Sequence, residues 1–349
     1  MLKTHVNLII SANMSARSIL GLLYTLKSIQ AFGINIDPVL KRHGLNMASM
    51  DASAIIDRSR ELRILMDAHQ GVKDAKLGLY TGQHFGLAGY GPFSLLLMTS
   101  ANALEACQVG VKYHEVAYLF GKLSMQAHPP FMSLCIEPDP LPLEITRFII
   151  DRDISGMFKM VEDMAHSLGQ TIQLKEVWLP FEEPSDISPY KARFNCPIKF
   201  GQPLAKLILE PRDLGANFPQ ANATAFELYR GQCEAQLKKQ KAYTGQLHQH
   251  ARQYLALFSQ QYPNINQLSQ YLHISERTLR RRLKEQGYSF QQLLDEVRFD
   301  KAKHLLENSE ASQESIAQTL GFSESPAFNH AFLRWSGMSP GKWRKQHSQ

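Results

Sequence analysis

Apolar positions at helical spacing dominate the first hundred residues. In 15–33, Ile19, Leu22, Leu23, Leu26 and Ile29 share one stripe, and Gly33 closes the segment. A second stripe of Ile55, Ile56, Leu62, Ile64 and Leu65 predicts a helix over 51–71 that stops at Gly71. The stretch LGLYTGQHFGLAGYGPFS (77–94) holds too much glycine for a regular helix and reads as a buried turn region. Another helix is expected over 95–114. From about residue 117 the pattern shortens. FMSLCIEP, IQLKEVWLPF, CPIKFG and AKLILEP have strand length, β-branched or aromatic content and Pro or Gly borders, with one long helix (141–169) between the first two. Residues 1–221 therefore predict an α+β domain. The polar, Gln/Lys-rich 222–249 reads as a helical or flexible connector.

The last hundred residues return to helical spacing and repeat themselves. LSQYLHISE (268–276) lies over IAQTLGFSE (316–324), two copies of a helix–turn–helix. In the first copy Ile265, Leu268 and Leu272 face inward, Ile274 plugs the turn and Ser275 caps the next helix, whose inward residues are Leu279 and Leu283. Gly287 ends it. In the second, Ile316, Ala317 and Leu320 form the first helix, Phe322 plugs the turn, Ser323 caps, and Phe328 and Phe332 point inward. The segment between them opens on a capping box, Ser289 with Gln292, and carries Leu294, Val297, Ala302, Leu305 and Leu306. A linking helix of about 20 residues spans about 30 Å, close to the roughly 34 Å between successive major-groove faces of B-DNA. Residues 250–349 thus predict an all-α domain with two helix–turn–helix lobes.

Charge sharpens this picture. The net charge is +6, and residues 241–349 hold 14 Lys/Arg against 9 Asp/Glu, leaving 24 against 23 for the rest. The excess sits where a polyanion can use it. On the helix 276–286, Arg277, Arg281 and Lys284 recur at i, i+4, i+7 opposite Leu279 and Leu283, with Arg280 on the flank. Arg282 lies on the other flank, a solvated or phosphate-facing position. Arginine's planar fork suits guanine edges and phosphates, and a basic outward face after a tight turn suits a major groove.

Here the residues resemble a known pattern. ISERTLRRRLKEQG, SFQQLLDEVRFDKAKHLL and SIAQTLGFSESPAFNHAFLRWSGMSPGKWR are similar to the DNA-binding domain of AraC/XylS-type bacterial transcription regulators. The resemblance implies base contacts from Arg277, Arg280 and Arg281 in the first lobe. In the second helix (324–335) it implies Ser325, Asn329 and His330, reading or clamping the next groove. Many members have arginine at the position of His330 and a polar residue at that of Pro326, so weaker reading by the second lobe is expected. The first ~230 residues resemble, through LGLYTGQHFGLAGYGPFSLLLMTSANALEACQVGVKYHEV and CPIKFGQPLAKLILEPRDL, the subgroup with a long N-terminal domain that includes the ornithine-utilisation regulators. Effector sensing, a homodimer, RNA polymerase as partner and activation of transcription follow from the resemblance alone. The sugar-binding barrel of the arabinose regulator does not.

The remaining candidates are few. His84, Phe85, Tyr90 and Phe93 offer an aromatic wall for a small-molecule effector, against the plainer reading that they pack the domain. The glycines fall in no phosphate-binding order. His248 and His250, two apart, share no helix face, so no metal is expected there, and no cofactor is expected anywhere. Cys107, Cys135, Cys196 and Cys233 form no CxxC pair, which suits a reducing cytoplasm. They also carry no activating motif, which weighs against an enzyme such as a cysteine-dependent alkyl-repair regulator. An effector-independent DNA-binding protein is the other alternative. VNLII near the start is too short for a signal peptide, and no run reaches the roughly 20 apolar residues of a membrane span.

Overall fold

A computed structural model of the chain describes residues 16–347, apart from 48–49, 52, 70–75, 129–130, 168, 211–216 and 243–246. The N-terminal 15 residues, with VNLII and the signal-peptide reading, and Gly71 lie outside the described residues. The chain divides between 243 and 244 into two compact units.

The first unit begins with β1 (Ala16–Ser18), α1 (Leu20–Ala31) and α2 (Asp37–Arg42), followed by β2 (Ile55–Asp57) and α3 (Arg58–His69). α4 (Lys76–Gln83), α5 (Pro92–Met98) and α6 (Ala103–Lys112) come next. Then come β3 (Gly121–His128), β4 (Phe131–Pro138), α7 (Leu143–Ser167), β5 (Leu174–Trp178), α8 (Ser188–Phe194), β6 (Ile198–Lys199), β7 (Ala205–Leu209) and α9 (Ala223–Ala242). β1 pairs antiparallel with β2. The other five strands form an open sheet, β3-β4-β7-β5-β6, antiparallel except for β5 beside β6. Leu134, Ile136, Val177 and Leu207 of this sheet pack with Ile150, Ile154 and Phe158 of α7.

Three expectations change. Residues 55–57 are strand rather than helix, because Ala16–Ser18 offers them a partner edge. The helix expected over 95–114 breaks at 99–102, where Asn102 accepts a hydrogen bond from Glu105 N and starts α6 as its cap. The glycine-rich 76–83 is helical. A Cβ at Gly78 would sit 2.7 Å from Asp151 Cβ, and one at Gly82 would sit 2.6 Å from Ser155 Cβ and run into the Arg152 carbonyl oxygen. Glycine at i and i+4 lets the α4 backbone touch α7, and Ser155 Oγ donates to Leu79 O across the contact at 2.8 Å. Close packing outweighs glycine's poor helix propensity, about 1 kcal/mol per residue.

The stretch 222–249 is no simple connector. Most of it is α9, whose Phe226, Tyr229, Cys233 and Leu237 pack with α5 residues Phe93, Leu96 and Leu97. Tyr113 at the end of α6 donates to Glu234 of α9 at 2.9 Å. The remainder opens the second unit.

Buried charge marks the other side of the first unit. Arg17 is bidentate to Glu61 at 2.6 and 2.8 Å and donates to Leu119 O at 3.0 Å. Arg58 pairs with Asp139 and Arg152 with Asp153, each at 2.6 Å. All three guanidiniums face the ring of Phe120, at 3.9, 5.1 and 5.2 Å from its centroid.

The second unit comprises α10 (Leu247–Leu255), α11 (Ile265–Tyr271), α12 (Glu276–Glu285), α13 (Phe290–Asn308), α14 (Gln313–Thr319), α15 (Ser325–Ser336) and α16 (Pro340–His347). Leu268, Leu272, Leu279 and Leu283 are buried in the first lobe, and Ile316, Leu320, Phe328 and Phe332 in the second. Among the described residues no helix is long and apolar enough to cross a membrane.

Two outcomes are expected. Gly82→Ala should destabilise the first unit by about 1–3 kcal/mol through overpacking against α7. Gly231→Ala in α9, where a Cβ meets nothing within 4 Å, should leave it unchanged or slightly more stable. Calorimetric melting of the full chain separates them, and equal shifts would show that α4 and α7 do not touch. Asp151 is buried beside Tyr190, whose hydroxyl donates to it at 2.8 Å, and burial raises its pKa to about 8. The folded state therefore holds an extra proton between the unfolded value near 4 and about 8. Stability from this group is complete below that window and falls as pH rises through it, by at most about 1.4 kcal/mol per pH unit. Denaturant titrations of Asp151→Asn across the window should show a flatter pH profile than the native chain.

Candidate nucleic-acid interface and ligand cavity

α12 owes its geometry to its ends. Ser275 Oγ accepts from Thr278 N at 3.2 Å, and Gly287, at φ +83°, lets the chain leave the helix. With Leu279 and Leu283 buried, the outward face carries Arg277, Arg280, Arg281 and Lys284, all exposed, while Arg282 is half-buried. Arg280 bonds Glu276 at 2.7 Å and Arg281 bonds Glu285 at 2.7 Å. These exposed i,i+4 pairs are worth only about 0.3–0.5 kcal/mol, so they hold the two arginines only lightly.

α15 is built differently. Its cap position is Glu324, with no side-chain capping bond, so Ser323 does not cap it as the repeat predicts. The extra residue between turn and helix moves the serine out of register, and Pro326 within the first turn supplies a helical φ instead. Ser325 is half-buried and His330 exposed. Asn329 is half-buried, its Oδ1 covered without a hydrogen-bond partner among the described residues. Arg334 of α15 bonds Asp295 of α13 at 2.8 Å. The second lobe thus presents far less positive charge than the first.

α13 joins the lobes. Its capping box at Ser289 and Gln292 is formed, and Leu293, Leu294, Val297, Ala302 and Leu306 are buried. Arg298 donates to Gly321 O at 3.2 Å and lies over Phe322 at 4.7 Å. Gln260 N donates to Thr319 O at 2.8 Å, and Gly321, at φ +72°, sits so close to the Gln260 carbonyl that no side chain fits. Trp335 and Trp343 pack with Phe299 as core residues. His248 stacks on Tyr288 at 4.1 Å, while His250 is buried on α10.

In the first unit the aromatic candidates separate. Tyr90 and Phe93 line a partly open cavity of about 60 Å³ between α5, α6, α7, β3 and β4. Phe85 is buried beside it, packed on Tyr90 and Tyr118, and does not line it. His84 is exposed, its ring held on Tyr80 and bonded to the Tyr80 carbonyl at 2.8 Å. Sequence reasoning missed the opposite wall, where Met157, Met160 and Met164 lie at i, i+3, i+7 on α7. Cys107 also lines the cavity, and burial pushes its thiol up to about 12. Burial raises Cys135 as well, and takes Cys196 and Cys233 to about 11. Thiols in such surroundings stay protonated and unreactive at neutral pH.

Comparison with known proteins agrees with this geometry. Residues 33–218 match the family described as the arabinose-binding domain of AraC transcription regulator, N-terminal, and residues 268–346 match a helix-turn-helix domain. The ornithine utilization regulator of Pseudomonas aeruginosa is 28% identical over 270 residues, 77% of this chain and 78% of that one. The transcriptional activator RhaS of Escherichia coli is 42% identical over 78 residues, 22% of this chain and 28% of that one. The crystal structure of the transcriptional regulator CdpR from Pseudomonas aeruginosa aligns over 92% of this chain and 98% of that one, at TM-score 0.46 and 22% identity. With one family model spanning more than half its length and a second covering the paired lobes, the chain belongs to the AraC family of DNA-binding transcription regulators.

Proposed function

We propose that this chain is a sequence-specific transcriptional activator whose first unit senses a small-molecule effector and which binds promoter DNA as a homodimer in the cytoplasm. The observation that carries the reading is the stripe of Arg277, Arg281 and Lys284 opposite buried Leu279 and Leu283. Only α12 combines an exposed row of arginines with a capped, rigid helix among the two helices that follow a turn. α12 reads base edges in the major groove through Arg277, Arg280 and Arg281, with Lys284 on a phosphate. α15 reads or clamps the adjacent groove through Ser325, Asn329 and His330, with a smaller share of the specificity. The likeness to RhaS, an activator, supports activation and a partnership with RNA polymerase. The protonated thiols support a regulator without enzymatic activity.

Selection of bound sites from random duplex DNA tests the reading. The full chain should enrich one strong block, with a second, weaker block about one helical turn away. No enrichment would overturn it. Arg281→Ala should cost about 1–3 kcal/mol and relax preference at one base position, whereas equal loss on every sequence would reduce Arg281 to a phosphate clamp. Titrations across salt should show the logarithm of the affinity falling linearly with the logarithm of salt concentration.

A further inference from the structure

The cavity in the first unit has a composition that narrows what it can hold. It lies on the seam between two apolar clusters. Leu134 and Met157 belong to the one built on the sheet, and Tyr90, Phe93 and Leu97 to the one shared by α5, α6 and α9. Of the lining side chains, only Tyr90 carries a hydroxyl and only Cys107 a thiol. Among the described residues no Asp, Glu, Asn, Gln, Arg, Lys, Ser or Thr lines it. A sugar or an amino acid entering here would leave all but one or two of its hydroxyls or charges without a side-chain partner, at about 1–3 kcal/mol for every neutral polar group and more for a charge.

We propose that the effector site of this protein is this cavity, and that it takes a small, uncharged, apolar molecule with at most one hydroxyl, not a sugar. The assignment rests on the reading of the first unit as a sensor. Its volume sets the size. A single water needs about 10–15 Å³, so a cavity of about 60 Å³ holds about four to six non-hydrogen atoms. The methionine wall extends that range, because Met157, Met160 and Met164 are unbranched and repack at little cost. Burial keeps the Cys107 thiol protonated at neutral pH, which disfavours covalent capture of an occupant. An occupant touches Phe93 and Leu97 of α5, and α5 packs along α9, the last helix before the chain passes into the DNA-binding unit. Occupancy therefore bears on α9, the last described helix of this unit.

Isothermal calorimetry on the full chain with the straight-chain alcohols from butanol to decanol tests the assignment, with L-arabinose and L-ornithine as polar controls. Saturable one-to-one binding should strengthen about threefold to fourfold per added methylene, peak near hexanol and then weaken. Gly110→Leu, which adds a side chain to the lining where a Cβ meets only Leu97 at 3.5 Å, should abolish it. Met160→Ala should move the optimum to longer chains, a gain that an unfolded variant cannot mimic. Affinity that rises without a maximum, or that survives Gly110→Leu, would show unspecific partitioning and overturn the proposal. Saturable binding of arabinose or ornithine with the alcohols silent would overturn it and leave the sensor reading intact. A parallel DNA titration separates the two ideas. Alcohol binding with the expected length optimum but no change in DNA affinity would uphold the cavity as a ligand site and remove its role as sensor.

Discussion

Three guanidiniums packed on a single phenylalanine ring fix the first unit. Phe120 is buried where the chain enters β3, and Arg17, Arg58 and Arg152 reach it from β1, α3 and α7. Glu61, Asp139 and Asp153 neutralise them, and Asp153 also accepts the Phe120 amide at 2.7 Å. Taking such charges out of water costs several kcal/mol per ion, and only tight pairing with further hydrogen bonds offsets it. The cluster therefore tolerates one arrangement of these elements. That arrangement places α7 under the sheet and α4 against α7, and so sets the seam where the cavity opens.

The second unit reaches rigidity by a cheaper route. Short amphipathic helices with formed caps are packed on α13, which contributes buried residues to both lobes. Its charges hold the edges: Arg298 on the second turn and Asp295 on α15. The two lobes share a scaffold but not a surface. α12 offers arginines held lightly by Glu276 and Glu285, whereas α15 offers a proline, a half-buried asparagine and one exposed histidine. Exposed positive charge is unequally divided between them.

The DNA-binding lobes were legible because their information is local. Cap, apolar stripe and glycine stop lie within a dozen residues of each other, and Ser275, Leu279, Leu283 and Gly287 take the positions that spacing assigns them. The first unit was legible in class and in its four later strands, but not where distant partners decide. Gly78 and Gly82 look like helix breakers until the α7 backbone is set against them. Ile55–Asp57 is a strand only because Ala16–Ser18 lies beside it. α9 is polar enough to pass for a linker, and its stripe of Phe226, Tyr229, Cys233 and Leu237 is narrow. The cavity was half visible, as Tyr90 and Phe93. Its methionine wall lies some seventy residues further on, and an empty space leaves no signature in a pattern of side chains.

The contact at Gly321 has a mechanical meaning. A loop of the first lobe presses its Gln260 carbonyl against the turn of the second, the Gln260 amide bonds Thr319, and a left-handed glycine is what allows the approach. Two lobes clamped in this way behave as a gauge of fixed length. Under the proposed binding of two grooves, a promoter with its two elements one base pair too far apart meets a protein with no joint between the lobes with which to follow. The mismatch, about 34° of helical rotation per base pair, falls on the duplex, which must untwist or bend to fit. Discrimination then extends to base pairs that no side chain touches, through how readily they deform.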